Sequence, residues 1–250
     1  MVFRMTNKEN LYRPGISGET LETHQIVRVD EKESKFKTGI RASGLLIPYF
    51  CCKRKLVWCN SHDFFRIRLD DPIEGMKYHQ RKGSGVHPYL PLGLWDLINE
   101  DVHSLVVVEG EFKALSLIET GIPAVGISGF YGFADGDFLV RELSLLFDRF
   151  CPSEILFLGD SDTSVNWQFS DAAVKLKSIL RNKGRIFRLP RLPLDGPKGI
   201  DDLRGKCLRE SENPETGRAN FLLRWESMKA DAVEVTSDQG PDDLALILFR

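Results

Sequence analysis

The amino-acid sequence predicts an α/β fold: a mainly parallel four-stranded sheet with flanking helices, preceded by a smaller, β-rich α+β domain. In residues 101–205, short apolar segments alternate with amphipathic segments of about ten residues, a pattern typical of βαβ units and a parallel sheet. Before residue 99, the β-branched and aromatic runs GLLIPYF, KLVWC and FFRIRL are separated by polar turns, which predicts an antiparallel sheet.

The predicted elements of the second part follow from apolar spacing. Its strands lie in SLVVVEG, PAVGIS, EILFLGDSD and RIFRLP, and its helices in EFKALSLIET, DFLVRELSLLFDRF and DAAVKLKSILRNKG. We therefore expect an α/β domain at residues 99–205, after a basic N-terminal domain at 1–98 and before a C-terminal extension at 206–250 of undetermined role. Between the two domains, the glycine- and proline-bearing segment KYHQRKGSGVHPYLPLG predicts a long loop.

Composition and targeting signals favour a cytoplasmic protein without membrane association. Hydrophobic residues make up 42% and charged residues 28% of the chain, as is ordinary for a globular protein. The chain has no apolar run near the ~20 residues of a membrane span, and MVFRMTNKEN lacks the apolar core of a secretory signal. Five cysteines at irregular spacing favour reduced thiols over a disulfide framework.

Positive charge is concentrated in the first part of the chain. Between Lys35 and Lys82 there are eleven basic and four acidic residues, although the formal net charge of the whole chain is −2. This excess predicts a surface that binds a nucleic-acid backbone, and a solvated face of a small domain is the alternative. The candidate residues for binding nucleic acid are Arg66, Arg68, Lys77, Arg81 and Lys82.

Acidic residues follow three of the predicted parallel strands. Glu109 ends the first strand, Asp160 and Asp162 follow the third, and Asp201 and Asp202 follow the fourth. Ligands of open α/β sheets bind outside the carboxyl ends of the strands, so these acids are expected to share one crevice. Carboxylates so close together favour a bound cation, and oxygen ligands select Mg²⁺ or Mn²⁺. Alternatively, they are helix caps.

The same segments resemble a known domain. VVVEGEFKAL, FLGDSD and KGIDD resemble the TOPRIM domain of bacterial primases, topoisomerases, OLD-family nucleases and ribosomal-RNA maturases. The resemblance implies that residues 99–205 form a TOPRIM catalytic domain. It also implies that Glu109 is a metal ligand or a general acid and base, and that Asp160 and Asp162 hold Mg²⁺. Asp201 and Asp202 fall where the late acids of primases stand.

One position departs from the primase pattern. Primases and maturases usually have an aspartate four residues after the glutamate, where this chain has Lys113, which looks more like the topoisomerase arrangement. Lys113 removes one possible metal ligand and adds a cation that can neutralise a phosphate. We therefore assign it a catalytic role beside Glu109.

Weaker similarities extend towards the N-terminus. GISGETL, SGLLIPYF, FFRIRLDDP and GMKYHQ resemble the segment preceding the TOPRIM unit in proteins of phages, plasmids and other mobile elements, which are often joined to helicase domains. The chain has no Walker A sequence, so it either obtains unwinding from a partner, for which a separate helicase is the candidate, or acts without unwinding. DNA, expected to be single-stranded, and nucleotides are the other expected partners.

Three functions are compatible with these residues. The first is primase-like nucleotidyl transfer in replication of a mobile element, and the second is a metal-dependent nuclease of the OLD or maturase type. The third is a non-catalytic module that binds DNA or a helicase. The basic N-terminal part favours the first, because primases place a nucleic-acid-binding domain there.

Two further motifs are candidates for binding. Cys52, Cys59 and His62 contain metal-binding residue types, but their spacing is irregular for zinc and a fourth ligand is not obvious. Phe130, Tyr131 and Phe133 follow the second parallel strand, where exposed rings could stack on a base. We expect at least two of these three rings to pack in the core.

Overall fold

The structure, a computed structural model, describes residues 15–99, 102–180 and 185–249. It divides into two compact units between Gly85 and Val86. The sequence placed the boundary after residue 98 and treated residues 206–250 as separate, whereas the described part of that segment lies in the second unit. The roles assigned to the domains remain predictions.

The first unit contains an antiparallel sheet. Its elements are α1 (Gly18–Thr23), β1 (Val27–Val29), α2 (Glu31–Thr38), β2 (Gly44–Pro48), β3 (Trp58–Cys59), β4 (His62–Asp63), β5 (Phe65–Ile73) and β6 (Met76–Gln80). In the described residues the main sheet has the order β1-β2-β5-β6, with antiparallel pairing throughout, and β3 and β4 form a separate hairpin. The predicted long loop is therefore wrong at its start, because residues 76–80 pair with β5.

Local capping and alternation explain this unit. Asp30 begins α2 by accepting a hydrogen bond from the Glu33 amide at 2.8 Å, and Gly39 ends the helix at a φ of 83°, which favours glycine. On β5, buried apolar residues alternate with more exposed arginines, so one face of the sheet packs in a core. That core consists of Val29, Leu46, Phe65, Ile67 and Leu69.

The second unit combines helices with a mostly parallel sheet. Its elements are α3 (Leu94–Leu97), β7 (Ser104–Glu109), α4 (Glu111–Glu119), β8 (Ala124–Ile127), β9 (Ala134–Asp135), β10 (Phe138–Leu139), α5 (Arg141–Phe150), β11 (Glu154–Leu158), a 3-10 helix (Ser161–Val165), α6 (Trp167–Leu180), β12 (Ile186–Leu189), α7 (Ile200–Arg209), α8 (Pro214–Ala230), β13 (Val233–Glu234) and α9 (Pro241–Phe249).

The larger sheet of this unit has five strands in the described residues, in the order β13-β12-β11-β7-β8. The pairs β12-β11, β11-β7 and β7-β8 are parallel, and these four strands are the ones that the sequence predicts. The fifth strand, β13, pairs antiparallel with β12 at one edge. It was not predicted because a two-residue strand has no apolar pattern of its own.

Aromatic packing fills the core of the second unit beside the central strands. The ring of Phe157 on β11 stacks on Phe169 of α6 with centroids 4.8 Å apart, and it also contacts Phe133 and Phe187. These side chains are buried. Burial of β7 and β11 from Leu105 to Val108 and from Ile155 to Leu158 explains why their sequences are continuous apolar runs.

No helix within the described ranges is both long enough and apolar enough to cross a membrane.

Candidate active site

The carboxyl ends of β7 and β11 lie side by side. Val108 of β7 is paired with Leu158 of β11, so Glu109 and the Gly159-Asp160 segment leave the sheet at neighbouring positions. Gly110 then turns the chain into α4 with a φ of 102°, a conformation that favours glycine over other residues. The glutamate-glycine pair of the sequence is therefore a tight strand-to-helix turn beside Asp160.

Two lysines surround the Asp160 carboxylate. The ammonium of Lys113, on α4, contacts Oδ1, and Nζ of Lys198 lies 3.8 Å from Oδ2. The side chains of Lys113 and Asp160 are 18% and 16% exposed, whereas Lys198 is 69% exposed and accessible to a ligand. Sequence reasoning missed Lys198, although it is the first residue of the KGIDD motif and stands three residues before Asp201.

On the pKa of Glu109, burial and the neighbouring carboxylates act against the two lysines. Burial raises the pKa of the Glu109 carboxyl, and the carboxylates of Asp160 and Asp162 raise it further, while Lys113 and Lys198 lower it. The net direction is upward, so Glu109 holds a proton more readily than an ordinary glutamate. Glu109 therefore lies close enough to these four charged side chains for their charges to act on its carboxyl.

The segment before α7 brings Asp201 to the same place. A Cβ atom on Gly199 would lie 2.5 Å from Oδ1 of Asp201 and 3.6 Å from Oδ1 of Asp160. Asp201 is buried, with 6% of its surface exposed. Asp202 accepts a hydrogen bond from the Gly199 amide at 3.3 Å, so it is engaged as the cap of α7.

The predicted metal ligands only partly converge. Asp162 is exposed on the 3-10 helix. Across residues 15–99, 102–180 and 185–249, no three histidine, cysteine or acidic side chains are grouped so that they could enclose a metal ion. Glu109 and Asp160 nevertheless fit Mg²⁺, because this ion is often bound by one or two carboxylates together with water and substrate phosphates. In the described part of the chain, protein side chains alone would not complete the coordination of the ion.

Because Gly199 has no side chain, it leaves room for Lys113, Asp160 and Asp201 to approach one another. Gly199→Ala should therefore crowd these side chains. The backbone of Gly199 is extended, so any strain must come from crowding: the added methyl would lie 2.5 Å from Asp201 Oδ1 and 2.9 Å from Lys113 Cε. We expect a loss of about 1–3 kcal/mol in the free energy of unfolding, measured with urea. Gly18→Ala, where no atom lies within 4 Å, is the control. Equal stability of both variants would contradict the crowding.

In the first unit, the predicted nucleic-acid-binding residues fall into separate groups. Arg66 and Arg68 lie on one face of β5, and their partners on β6 are Gln80 and Tyr78. The guanidinium of Arg66 is 5.0 Å from the centroid of the Tyr78 ring, and it donates to the Tyr49 hydroxyl at 3.4 Å. We refer to Arg66, Arg68 and Tyr78 as the arginine face.

The remaining three basic residues are placed differently. Lys77 precedes Tyr78 on β6 and therefore lies on the opposite side of the sheet. Arg81 donates to the carbonyl of Phe36 at 2.6 Å and of Lys37 at 3.4 Å, near the C-terminus of α2, so it stabilises this helix end. Lys82 is exposed in the turn after β6.

The zinc candidates are only partly brought together. Cys59 and His62 are paired across the β3–β4 hairpin, with Sγ 3.9 Å from Nε2. Nδ1 of His62 lies 2.9 Å from the Asn60 carbonyl oxygen. In the described part of the chain, Cys52 does not complete a group of three possible ligands with them.

Comparisons with known proteins agree with this architecture. A family described as a domain of unknown function, DUF3854, matches residues 94–206. These residues contain Glu109, Asp160 and Asp201 and so cover the candidate site. No curated protein matches the chain.

A solved structure resembles most of the chain. It is the crystal structure of the Aquifex aeolicus primase, comprising zinc-binding and RNA polymerase domains, with a TM-score of 0.59 and 16% sequence identity. The match covers 89% of this chain and 54% of the primase chain, so this chain spans about half the length of that protein. The chain therefore has a primase-like fold.

Proposed function

We propose that this protein is a Mg²⁺-dependent TOPRIM protein that performs primase-like nucleotidyl transfer on nucleic acid. The observation that carries the proposal is the meeting of Glu109, Asp160 and Lys113 at the carboxyl edge of a parallel sheet, in a chain with a primase-like fold. The similarity of VVVEGEFKAL, FLGDSD and KGIDD to TOPRIM motifs supports the same function. Replication of a mobile element is the proposed setting.

The proposed roles follow from charge and exposure. Asp160, with Glu109 or Asp162, would hold Mg²⁺, which neutralises phosphate oxygens and stabilises in-line displacement when bound. Lys198, exposed beside Asp160, binds a phosphate of the incoming nucleotide or strand. Lys113 neutralises the charge of Asp160 before substrate binds, and it can contact a phosphate once substrate is bound. Glu109, with its raised pKa, accepts the proton of the attacking hydroxyl.

The direct test is incubation with single-stranded DNA, labelled nucleotides and Mg²⁺ or Mn²⁺, scored for both extension and cleavage. Extension by the wild type and its loss in Glu109→Gln would support the proposal, since glutamine cannot accept the proton. We expect this variant to retain DNA binding, because the substitution removes negative charge near the phosphates. Cleavage without extension would instead assign the site to a nuclease.

The arginine face gives a second prediction of this function. Arg66→Gln/Arg68→Gln should weaken binding of single-stranded DNA and flatten its salt dependence by about 0.7 in the slope of log K against log salt for each phosphate that the protein no longer neutralises. Fluorescence anisotropy over a salt series measures both quantities. Lys32→Gln/Lys35→Gln, on the exposed side of α2, removes the same charge and should have a smaller effect. Equal effects of both pairs would show that binding depends on net charge alone.

A further inference from the structure

Two exposed aromatic rings flank the start of α6, near the candidate active site. Tyr131 belongs to the loop after β8 and is 39% exposed, and Trp167 is the first residue of α6 and is 51% exposed. The hydroxyl of Tyr131 donates to Asp171 and lies 3.4 Å from the Gln168 carbonyl oxygen, both on α6. Tyr131 therefore lies against the first turns of the helix that Trp167 begins.

Both rings are fixed by carboxylates while remaining exposed. The Tyr131 hydroxyl is 2.6 Å from Asp171 Oδ2, and the Trp167 indole donates from Nε1 to Asp242 Oδ1 at 2.8 Å. Burial and the Asp171 carboxylate raise the pKa of Tyr131 to about 12, so the hydroxyl keeps its proton even in alkaline solution. An exposed side chain normally retains rotational freedom, and these bonds remove it before a ligand arrives.

The other aromatic residues of the loop anchor it in the core. Phe133 is fully buried against Phe157, and Phe130 packs on Phe169 with centroids 5.5 Å apart. Two of the three rings thus pack inside, as the sequence predicts, and the Tyr131 ring remains exposed. A loop held by two core aromatics places the third at a defined position.

The segments that carry these rings leave the sheet at the same edge as the segments that carry the carboxylates. The Gly110 amide donates to the carbonyl of Ile127, two residues before Gly129 begins the aromatic loop. The 3-10 helix that contains Asp162 leads directly into Trp167. Tyr131 and Trp167 therefore belong to segments that leave the sheet at the same edge as Glu109 and Asp160.

We infer that Tyr131 and Trp167 form a stacking site for the bases of a single-stranded nucleic acid. This inference rests on the proposed function and names the ligand of that site: bases on the two rings, with phosphates towards Lys198. Aromatic rings stack on any base, so the site would bind strands without sequence preference. The fixed, separate rings and the exposed lysine suit a strand with alternating bases and phosphates better than a purely apolar partner.

The test uses the full chain and two oligonucleotides of equal length: oligothymidylate and an abasic strand with the same phosphates but no bases. The wild type should bind oligothymidylate more tightly than the abasic strand. Tyr131→Ala and Trp167→Ala should each weaken that binding by at least about fivefold, with little change for the abasic strand. Leu223→Ala, at an exposed apolar residue of α8, is the control, and circular dichroism verifies folding.

The outcomes separate this inference from the proposed function. Equal binding of both strands by the wild type, or unchanged binding by both alanine variants, would overturn stacking and leave phosphate binding intact. Binding of neither strand would overturn both proposals. Tryptophan fluorescence gives a second readout, because bound oligothymidylate should quench a component that Trp167→Ala lacks. Quenching by thymidine triphosphate alone, without an effect of the variants on the strand, would overturn the assignment to a strand.

Discussion

Asp160→Asn should abolish the rise in melting temperature that we expect Mg²⁺ or Mn²⁺ to produce in the wild type. It should also reduce the proposed nucleotide incorporation by about 10²-fold or more, equivalent to at least about 2.7 kcal/mol of transition-state stabilisation. Asp160 is the carboxylate on which the proposed site converges, because it adjoins Glu109 and contacts Lys113 and Lys198. Asparagine has nearly the same shape as aspartate but lacks the negative charge that binds a divalent cation.

Thermal unfolding with a chelator and with millimolar Mn²⁺ measures the metal effect apart from activity. The chelator series is needed because the substitution also removes the partner of Lys113, which changes the baseline stability. Asp231→Asn, at the exposed end of α8, removes the same charge and should leave the Mn²⁺ response unchanged. A full response in Asp160→Asn would contradict the assignment of this residue as a metal ligand.

Arg204→Met should lower the free energy of unfolding by about 3–5 kcal/mol. Nη2 of Arg204, on α7, is 2.9 Å from Oε1 of Glu119 at the end of α4, and the side chains are 6% and 18% exposed. The substitution leaves Glu119 without this cation in a poorly solvated position. The same ion pair joins the helix that begins beside Asp201 to the helix that carries Lys113, so activity should fall as well.

Urea unfolding of Arg204→Met, Glu119→Met and the double variant measures the coupling of the two side chains. The double variant should be less destabilised than Arg204→Met alone, because no unpaired charge remains. Lys206→Met removes an exposed ion pair to Glu210 on the same helix and should cost less than about 0.5 kcal/mol. Equal losses in Arg204→Met and Lys206→Met would show that burial of the pair contributes little.

The parallel sheet and the positions of Glu109 and Asp160 at its edge could be predicted because the sequence patterns that indicate them are local. The residues from Leu105 to Val108 and from Ile155 to Leu158 are apolar at successive positions, as strands buried on both faces require. Parallel strands end at a common edge, so the positions of Glu109 and Asp160 after such runs indicated that they would be neighbours. Their ligand and chemistry remain proposals.

Other outcomes depended on contacts between distant segments. The segment of β6 contains polar residues and forms a strand because it pairs with β5. The two residues of β13 form a strand because they pair with β12. Arg81 belonged to a basic cluster in the sequence, but it reaches the end of α2 in the fold. Asp202 belonged to an acidic pair, but it caps α7.

The sequence by itself determined the α/β character of the second unit, the order of its parallel strands along the chain and the candidate acids at their ends. These features could be predicted because hydrophobic periodicity, which locates the strands and their ends, depends only on residues that are neighbours in the sequence. Only the tertiary structure decided that Lys113 and Lys198 meet Asp160, that Gly199 leaves room among them, and that Asp171 and Asp242 fix two exposed rings. Such pairings depend on how far-separated segments pack, and a charged residue has the same local pattern whether its partner is a carboxylate, a carbonyl or water.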